Sequence, residues 1–235
     1  MPKRIAATTT LISLFALLYF GIAMLRPVEE TRSLAVWLDD WIPFVPSAVY
    51  VYAWVYTGAL LPLFTVRSDA LFERVVWAYS LVFAICSASF ILFPVSAMAL
   101  RPPLPPLADP SFTEWSIRLL YALDPPTNLF PSLHVAIAFC AAMASWKSNR
   151  RYGHFVFPWV LAISISTLLT KQHYVVDVLV GVAVGILALQ VCTRRLVARA
   201  DEISTFPPLA APLVLHCAFV LVFYAAFTVS TSWTG

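Results

Sequence analysis

Long apolar runs alternate along the chain with short polar stretches, and the length of each run limits the structure it can form. A helix needs roughly 20 mostly apolar residues to cross a bilayer. The pattern predicts seven such segments. They cover residues 6–25, 45–66, 75–98, 132–146, 155–170, 174–191 and 209–228. We therefore expect an all-α fold, a polytopic transmembrane helix bundle that forms one domain over residues 1–235.

Composition favours a membrane protein and argues against several other classes. With 61% hydrophobic and 11% charged residues, a water-soluble globule is not expected. The net charge of +3 is too small to indicate nucleic-acid binding, and no basic block carries interleaved aromatic residues. The four cysteines lie far apart without CxxC spacing, so we interpret them as small core residues: Cys86, Cys140, Cys192 and Cys217.

The first apolar segment follows Lys3 and Arg4, as the apolar region of a signal peptide would. It is longer than that region usually is, and it lacks a clear cleavage site before Arg26. We interpret it as a retained membrane anchor, with cleavage as the alternative.

The distribution of Lys and Arg predicts the orientation, because cytoplasmic loops carry an excess of both. With the N-terminus inside, ten of these residues fall on the inner side and five on the outer side. The inner set is Lys3, Arg4, Arg67, Arg74, Lys147, Arg150, Arg151, Arg194, Arg195 and Arg199, and the outer set is Arg26, Arg32, Arg101, Arg118 and Lys171. We expect a cytoplasmic N-terminus and outward-facing loops at residues 26–44, 100–131 and around Lys171. The short chain and brief loops favour a bacterial inner membrane, with these loops in the periplasm or exterior.

His173 and Asp177 are the most informative polar pair, because they flank the start of the sixth apolar segment. Spacing of i and i+4 places both side chains on one helix face, so the carboxylate can hold one imidazole nitrogen and leave the other free. An ionisable group inside a membrane segment costs about 2.5 to 3.5 kcal/mol on insertion scales. The pair is therefore a candidate functional site.

Ser132 and His134 open the fourth segment in the sequence Pro-Ser-Leu-His. Ser is a favoured N-cap, so we predict that Ser132 starts the helix and places His134 in its first turn. The unpaired backbone N–H groups of a helix N-terminus suit a bound phosphate. Capping alone is the alternative interpretation.

The loop at residues 100–131 contains a helical pattern at residues 112–123. This pattern is typical of a helix on the membrane surface, and packing over the mouth of the bundle is an equally good interpretation. Its apolar positions are Trp115, Leu119, Leu120 and Leu123, opposite Glu114 and Arg118. Trp37 and Trp41 in the first outer loop are predicted interfacial anchors.

Three outward-facing elements carry a cation, a hydroxyl, two imidazoles and a carboxylate: Arg101, Ser132, His134, His173 and Asp177. At these positions the chain resembles the type 2 phosphatidic acid phosphatase superfamily, which includes lipid phosphatases and the inositol phosphorylceramide and sphingomyelin synthase branches. Its motifs are Lys-x6-Arg-Pro, Pro-Ser-x-His and Ser-Arg-x5-His-x3-Asp. They correspond to positions 94–102, 131–134 and 166–177. The resemblance implies a six-helix phosphatase-like core with one extra C-terminal helix, and a catalytic core at about residues 75–192.

The resemblance also implies a role for each matched residue. His173 would attack phosphorus and form a phosphohistidine, Asp177 would orient it, and His134 would serve as general acid and then base. Arg101 and Ser132 would hold phosphate oxygens. No metal or other cofactor is implied: His-x3-Asp could be half of a zinc site, but no third ligand stands at metal spacing.

Two positions depart from the family pattern, since Pro94 replaces the first-motif lysine and Thr167 replaces the third-motif arginine. Lys171 lies four residues after Thr167 and could restore one phosphate-binding charge. The alternative is an interfacial lysine that reaches lipid headgroups. Fewer cations suit a phosphodiester, which carries less charge than a phosphomonoester, and Pro-Ser-Leu-His resembles the synthase branch more than the phosphatases.

The first hypothesis is thus a membrane enzyme whose partners are the bilayer and a lipid phosphate. It would be a lipid phosphatase acting on a monoester or diphosphate, or a phosphotransferase that moves a headgroup to an acceptor lipid. The second hypothesis, a non-catalytic transporter or haem-binding protein, is disfavoured because haem ligands would lie deep in facing helices. His216 is predicted to be a hydrogen-bonded core residue, and His154 falls in an inner loop.

Overall fold

The computed structural model describes residues 2–25, 27–104, 109–196 and 209–232. Over these ranges the secondary structure is helical, and five helices are long and apolar enough to cross a membrane. The predicted all-α transmembrane bundle is therefore confirmed. The helices are α1 Pro2–Met24, α2 Trp37–Trp41, α3 Val49–Tyr52, α4 Trp54–Gly58, α5 Leu61–Thr65, α6 Asp69–Leu92, α7 Phe112–Leu123, α8 Leu133–Ser148, α9 Gly153–Leu169, α10 Val175–Thr193 and α11 Ala210–Ser232. The five candidate spans are α1, α6, α9, α10 and α11.

The second predicted segment differs from a single spanning helix, because the structure divides residues 45–66 into α3, α4 and α5. Hydrogen bonds between residues three apart replace the α-helical bonds between residues four apart at the breaks. One example joins the Leu60 N–H to the Thr57 carbonyl at 3.1 Å. Pro62 lies in the first turn of α5. A proline cannot donate the ladder hydrogen bond and clashes with the preceding turn, so an α-helix does not continue through this position.

The third segment is also displaced, since α6 begins and ends earlier than the predicted 75–98. Ser68 caps its start by accepting a hydrogen bond from the Leu71 N–H at 3.2 Å. Pro94 disfavours helical backbone at Phe93, the residue where α6 is capped. The chain therefore leaves the bundle before the loop that carries Arg101.

The fourth segment forms α8, which has 16 residues and is buried along most of its length. It contacts α6, α9 and α10 and lies at the centre of the bundle. The crossing of α10 over α8 is close because Gly181 and Gly185 of α10 face Ser132 and Ala136 of α8. A Cβ atom at Gly181 would lie 2.6 Å from the Ser132 carbonyl oxygen. Small residues four apart thus let the two helix backbones touch.

Helix α7 has the predicted bounds, and its first turn is fixed by a capping box between Ser111 and Glu114. Hydrogen bonds from Ser111 to the carboxylate lower the pKa of Glu114. Ile117 and Leu120 are buried against Val49 and Tyr52 of α3. The alternative of a helix packed over the end of the bundle therefore describes α7.

Helix α11 lies at the edge of the bundle and contacts α4, α5 and α7. His216 is its buried polar residue: the ring stacks on Trp54 at a centroid distance of 3.6 Å. Its Nδ1 lies 3.0 Å from the Thr57 hydroxyl. The prediction of a hydrogen-bonded core histidine is confirmed.

Candidate functional site

His134 and His173 meet at the end of the bundle where α8 and α10 begin. The predicted cap of α8 is confirmed, because the Ser132 hydroxyl oxygen accepts a hydrogen bond from the Val135 N–H at 3.3 Å. His134 then falls in the first turn of α8, and His173 lies two residues before α10. Both side chains are buried, and their ring centroids are 6.0 Å apart. One phosphoryl group can therefore contact both rings.

Asp177 faces one side of the His173 ring from the first turn of α10. Its Oδ2 lies 3.5 Å from His173 Nδ1, which makes no hydrogen bond within the described ranges, and accepts the Tyr174 N–H at 2.9 Å. Its backbone carbonyl accepts the Ser132 N–H at 3.0 Å, which ties α10 to the start of α8. With Nδ1 turned to the carboxylate, Nε2 is the His173 nitrogen left for a substrate.

A sharp turn between α9 and α10 aims His173 back at α8. The Thr167 carbonyl, near the end of α9, accepts hydrogen bonds from the backbone N–H groups of Gln172 at 3.0 Å and His173 at 3.3 Å. Lys171 has a φ of 55°, the left-handed conformation that costs a non-glycine residue about 1 kcal/mol or more. Tyr174 closes the turn by donating its hydroxyl to the Ser96 carbonyl at 3.1 Å.

Arg101 is held beside this turn by a ring contact on one face of its guanidinium and by hydrogen bonds from its N–H groups. One face lies over the Tyr121 ring, 4.5 Å from its centroid, and Nη2 donates to Gln172 Oε1 at 2.5 Å and to the Asp124 carbonyl at 3.0 Å. Burial raises the pKa of Tyr121 to about 12, so its phenol remains neutral. Arg101 Nε and Gln172 Nε2 are buried donors that have no hydrogen-bond partner within the described ranges. Buried unpaired donors are costly, and an anion would satisfy them.

The Lys171 side chain, a predicted phosphate-binding group, contacts backbone carbonyls of the first loop. Its ammonium donates to the carbonyls of Asp39 at 3.1 Å and Ile42 at 2.5 Å, at the C-terminal end of α2. Cations are favourable at the end of a helix, where carbonyls lack partners. The structure thus gathers Arg101, Ser132, His134, His173 and Asp177 around the start of α8 and α10, and it directs the Lys171 side chain to the first loop.

We predict that Lys171→Met destabilises the protein and leaves phosphate binding nearly unchanged. Loss of two charged hydrogen bonds should lower the free energy of unfolding by about 1–3 kcal/mol. Thermal unfolding in detergent, together with KM for a soluble phosphate ester, checks both parts. A KM raised more than tenfold with unaltered unfolding would instead assign Lys171 to the phosphate.

Sequence reasoning missed a polar cluster on the far side of His134. The Asp124 carboxylate is buried and accepts hydrogen bonds from the hydroxyls of Tyr19 and Tyr52, the latter at 2.6 Å. The Tyr52 oxygen lies 3.4 Å from His134 Nδ1. Asp124 follows an amphipathic helix and both tyrosines lie in apolar runs, so the sequence pattern gave no signal beyond an isolated carboxylate. Gln172, whose amide oxygen accepts a hydrogen bond from Arg101, was also missed, because no sequence pattern connects it to that distant arginine.

Two apolar cavities converge on His134. The first, of about 240 Å³, lies between α1, α5, α6 and α8, and the second, of about 300 Å³, lies between α1, α3, α7 and α11. Phe15, Tyr56 and His134 line both. A polar centre that opens onto two apolar cavities suits a ligand with a charged group and a long apolar part.

The possible metal ligands do not cluster. Across the described ranges, no group of three or more His, Cys, Asp or Glu side chains is placed to hold a metal ion. The four cysteines are free thiols, with Cys86 and Cys140 buried in the core. The site consists of imidazole, carboxylate, guanidinium and hydroxyl groups.

The described helices form an apolar bundle with two facing histidines at one end. A family model described as the PAP2 superfamily matches residues 28–191. The chain belongs to the PAP2 superfamily, which confirms the resemblance seen in the sequence motifs.

One similar protein is an uncharacterised protein of Methanocaldococcus jannaschii, which is 38% identical over 60 residues. That match spans 26% of this chain and 25% of the archaeal protein. No solved structure shows a significant match to the chain.

Proposed function

We propose that the protein is an integral membrane lipid phosphatase that hydrolyses a lipid phosphomonoester or diphosphate through a phosphohistidine on His173. The observation that carries this proposal is the 6.0 Å separation of the His134 and His173 rings beside two apolar cavities. The family supports phosphoryl-transfer chemistry in general terms. The positive-inside count supports a site on the outer face of the membrane.

In the first step, His173 Nε2 attacks phosphorus and forms a P–N bond while a P–O bond breaks. The group that leaves is the lipid alcohol of a phosphomonoester or the lipid monophosphate of a diphosphate. Asp177 accepts from Nδ1–H, which fixes the tautomer and stabilises the positive charge that develops on the ring. His134 gives a proton from Nε2 to the leaving oxygen. Arg101 and the Ser132 hydroxyl donate to the phosphoryl oxygens, as electrostatic stabilisation of the transition state requires.

In the second step, water attacks the phosphohistidine and the P–N bond breaks. His134, now neutral, takes the water proton on Nε2, so inorganic phosphate leaves and both imidazoles return to their starting states. Covalent catalysis of this kind divides one difficult displacement into two easier ones.

The apolar cavities support a lipid as the leaving group. Both reach His134, the proposed acid, and neither is lined by His173. An in-line displacement places the nucleophile and the leaving group on opposite sides of phosphorus. The apolar alcohol therefore belongs on the His134 side, where the cavities are.

A lipid phosphotransferase is the second candidate, and the paired cavities favour it. An acceptor alcohol in one cavity could use the same His134 base while the donor lipid occupies the other. Pro94 and Thr167 at the positions of two family cations favour a singly charged phosphodiester donor.

Product analysis of the purified protein tests both candidates. A phosphatase releases inorganic phosphate from phosphatidic acid or a polyprenyl diphosphate with no acceptor present. A transferase converts phosphatidylinositol to diacylglycerol only when an acceptor such as ceramide is added. If folded protein turns over none of these lipids, the proposed function is wrong.

A further inference from the structure

Asp124 is a buried carboxylate that the two-step chemistry does not use. Each of its oxygens accepts one tyrosine hydroxyl: Oδ1 from Tyr19 of α1, and Oδ2 from Tyr52 of α3 at 2.6 Å. Its backbone carbonyl accepts from Arg101, so the loop after α7 is held from three directions. A buried carboxylate is expensive unless it is hydrogen-bonded. The two tyrosine hydroxyls satisfy this carboxylate, and one of them also faces the site.

The Tyr52 hydroxyl connects this carboxylate to His134. Because Tyr52 donates its proton to Asp124, its oxygen turns lone pairs toward His134 Nδ1, 3.4 Å away. That contact is long for a hydrogen bond, but catalytic hydrogen bonds are commonly loose in the absence of substrate. An acceptor at Nδ1 favours the tautomer with a proton on Nδ1, and it leaves Nε2 to exchange protons with a substrate oxygen.

The ring of His134 is also fixed by its apolar neighbours. Tyr19, Tyr52 and Tyr56 surround it edge-on, with centroid distances of 5.9, 5.8 and 6.3 Å. Rotation of the imidazole would move Nδ1 away from the Tyr52 oxygen toward these rings. These edge-on contacts favour the orientation in which Nδ1 faces Tyr52.

We propose that Tyr52 and Asp124 are positioning residues for His134, and that they form an Asp-Tyr-His relay that keeps this imidazole ready to act as acid and base. This inference depends on the proposed phosphatase or transferase function. The site then contains two histidines, each backed by a carboxylate: Asp177 directly behind His173, and Asp124 behind His134 through a hydroxyl. When Nε2 of His134 gives its proton to the leaving alkoxide, the Nδ1–H bond to Tyr52 is retained, and the next proton from water returns to Nε2.

The competing explanation is purely structural. Asp124 would serve only to attach the loop after α7 to α1 and α3, and its loss would reduce all activities alike. A leaving-group comparison separates the two explanations, because an alkoxide leaving group needs a proton and a nitrophenolate does not. p-Nitrophenyl phosphate is also small and soluble, so it does not depend on the apolar cavities.

The test is Tyr52→Phe, which removes one oxygen and keeps the ring. We measure kcat/KM, which reports the steps up to phosphorylation of His173, for an alkyl lipid phosphate and for p-nitrophenyl phosphate. Because a general acid contributes about 10²- to 10⁴-fold, misplacing it should lower the lipid value by about 10- to 100-fold and the nitrophenyl value by less than about threefold. The lipid loss should appear in kcat, with KM nearly unchanged.

Tyr19→Phe is the matched control, because it removes the same atom from the other oxygen of Asp124 without removing the contact to Nδ1. Its two kcat/KM values should fall by the same factor. Asp124→Asn is a second variant of nearly equal shape, and it should reproduce the selective loss of Tyr52→Phe. Thermal unfolding and size-exclusion profiles show that each variant is folded.

Equal losses on both substrates in folded Tyr52→Phe would overturn the relay while leaving the phosphatase assignment intact. A wild-type protein that turns over neither substrate, and that also leaves phosphatidylinositol unchanged when ceramide is added, would instead remove the proposed function, and the relay with it. The relay would also be overturned if Tyr19→Phe lost lipid turnover as selectively as Tyr52→Phe does. The loss of activity would then not depend on the contact between Tyr52 and His134 Nδ1.

Discussion

His173→Ala should abolish phosphate release from a lipid phosphate, with kcat reduced by about 10⁴-fold or more, because removal of a covalent nucleophile leaves only binding and electrostatic stabilisation. The ring it removes is buried 6.0 Å from His134, and nothing else in the turn carries a nucleophile aimed at that gap. Within the described turn, Gln172 is an amide and Lys171 is occupied by carbonyls of the first loop. Release of inorganic phosphate from purified protein measures the effect.

Trapping of the intermediate makes this prediction specific to the nucleophile. Wild-type protein quenched during turnover of a labelled substrate should carry acid-labile, base-stable phosphate, as a phosphoramidate does, and His173→Ala should carry none. His154→Ala is the matched control, because His154 is an exposed residue in the first turn of α9, away from the site. Label retained in His173→Ala, or lost equally in His154→Ala, would contradict the assignment.

Local sequence patterns predicted the parts of the site that lie within one helix or one turn. The cap at Ser132 depends only on helix geometry, which follows the chain. The expectation that His173 and Asp177 share one helix face was wrong, because α10 begins at Val175 and His173 lies in the preceding turn, although the two side chains still lie side by side. The bounds of α7 followed from its helical pattern of apolar positions opposite Glu114 and Arg118. Arg101 was found through a motif, since no local pattern connects a loop arginine to a distant histidine.

Contacts between distant residues were not predictable in this way. Tyr52 is separated from Asp124 by 72 positions and from His134 by 82, and a tyrosine in an apolar run is normally read as core. The contacts of Lys171 depend on where α2 lies, which the sequence pattern did not specify. The division of residues 45–66 was missed because hydropathy measures length and not continuity, although Pro62 marked one break.

The role of the α10 glycines in helix packing was also not predictable from hydropathy, because glycine counts as a neutral position in an apolar span. Gly181 and Gly185 lie on the face that touches α8, where a Cβ at Gly185 would overlap the Ala136 backbone carbonyl. This crossing carries the hydrogen bond from Ser132 N–H to the Asp177 carbonyl, so it sets the distance between the two histidines. Precise separation matters, since a displacement of about 1 Å at a catalytic centre can cost about 100-fold in rate.

Gly185→Leu should therefore eliminate the folded, active protein, although residue 185 lies two helical turns from Asp177. The neighbouring atoms belong to backbone, which cannot rotate away, and overpacking against such atoms costs about 1–3 kcal/mol or more. Gly185→Ala is the graded variant, for which we expect a lower unfolding temperature and a reduced kcat on p-nitrophenyl phosphate. Size-exclusion profile, thermal unfolding and kcat measure the series.

Gly21→Leu is the control for this series, because Gly21 is also a glycine in a spanning helix, but a Cβ there would meet no atom within 4 Å. It should fold normally and gain slightly in stability, since glycine within a helix is about 1 kcal/mol less favourable than a good helix former. If Gly185→Leu matches Gly21→Leu in profile, unfolding and turnover, the close crossing of α8 and α10 does not determine the spacing of the two imidazoles.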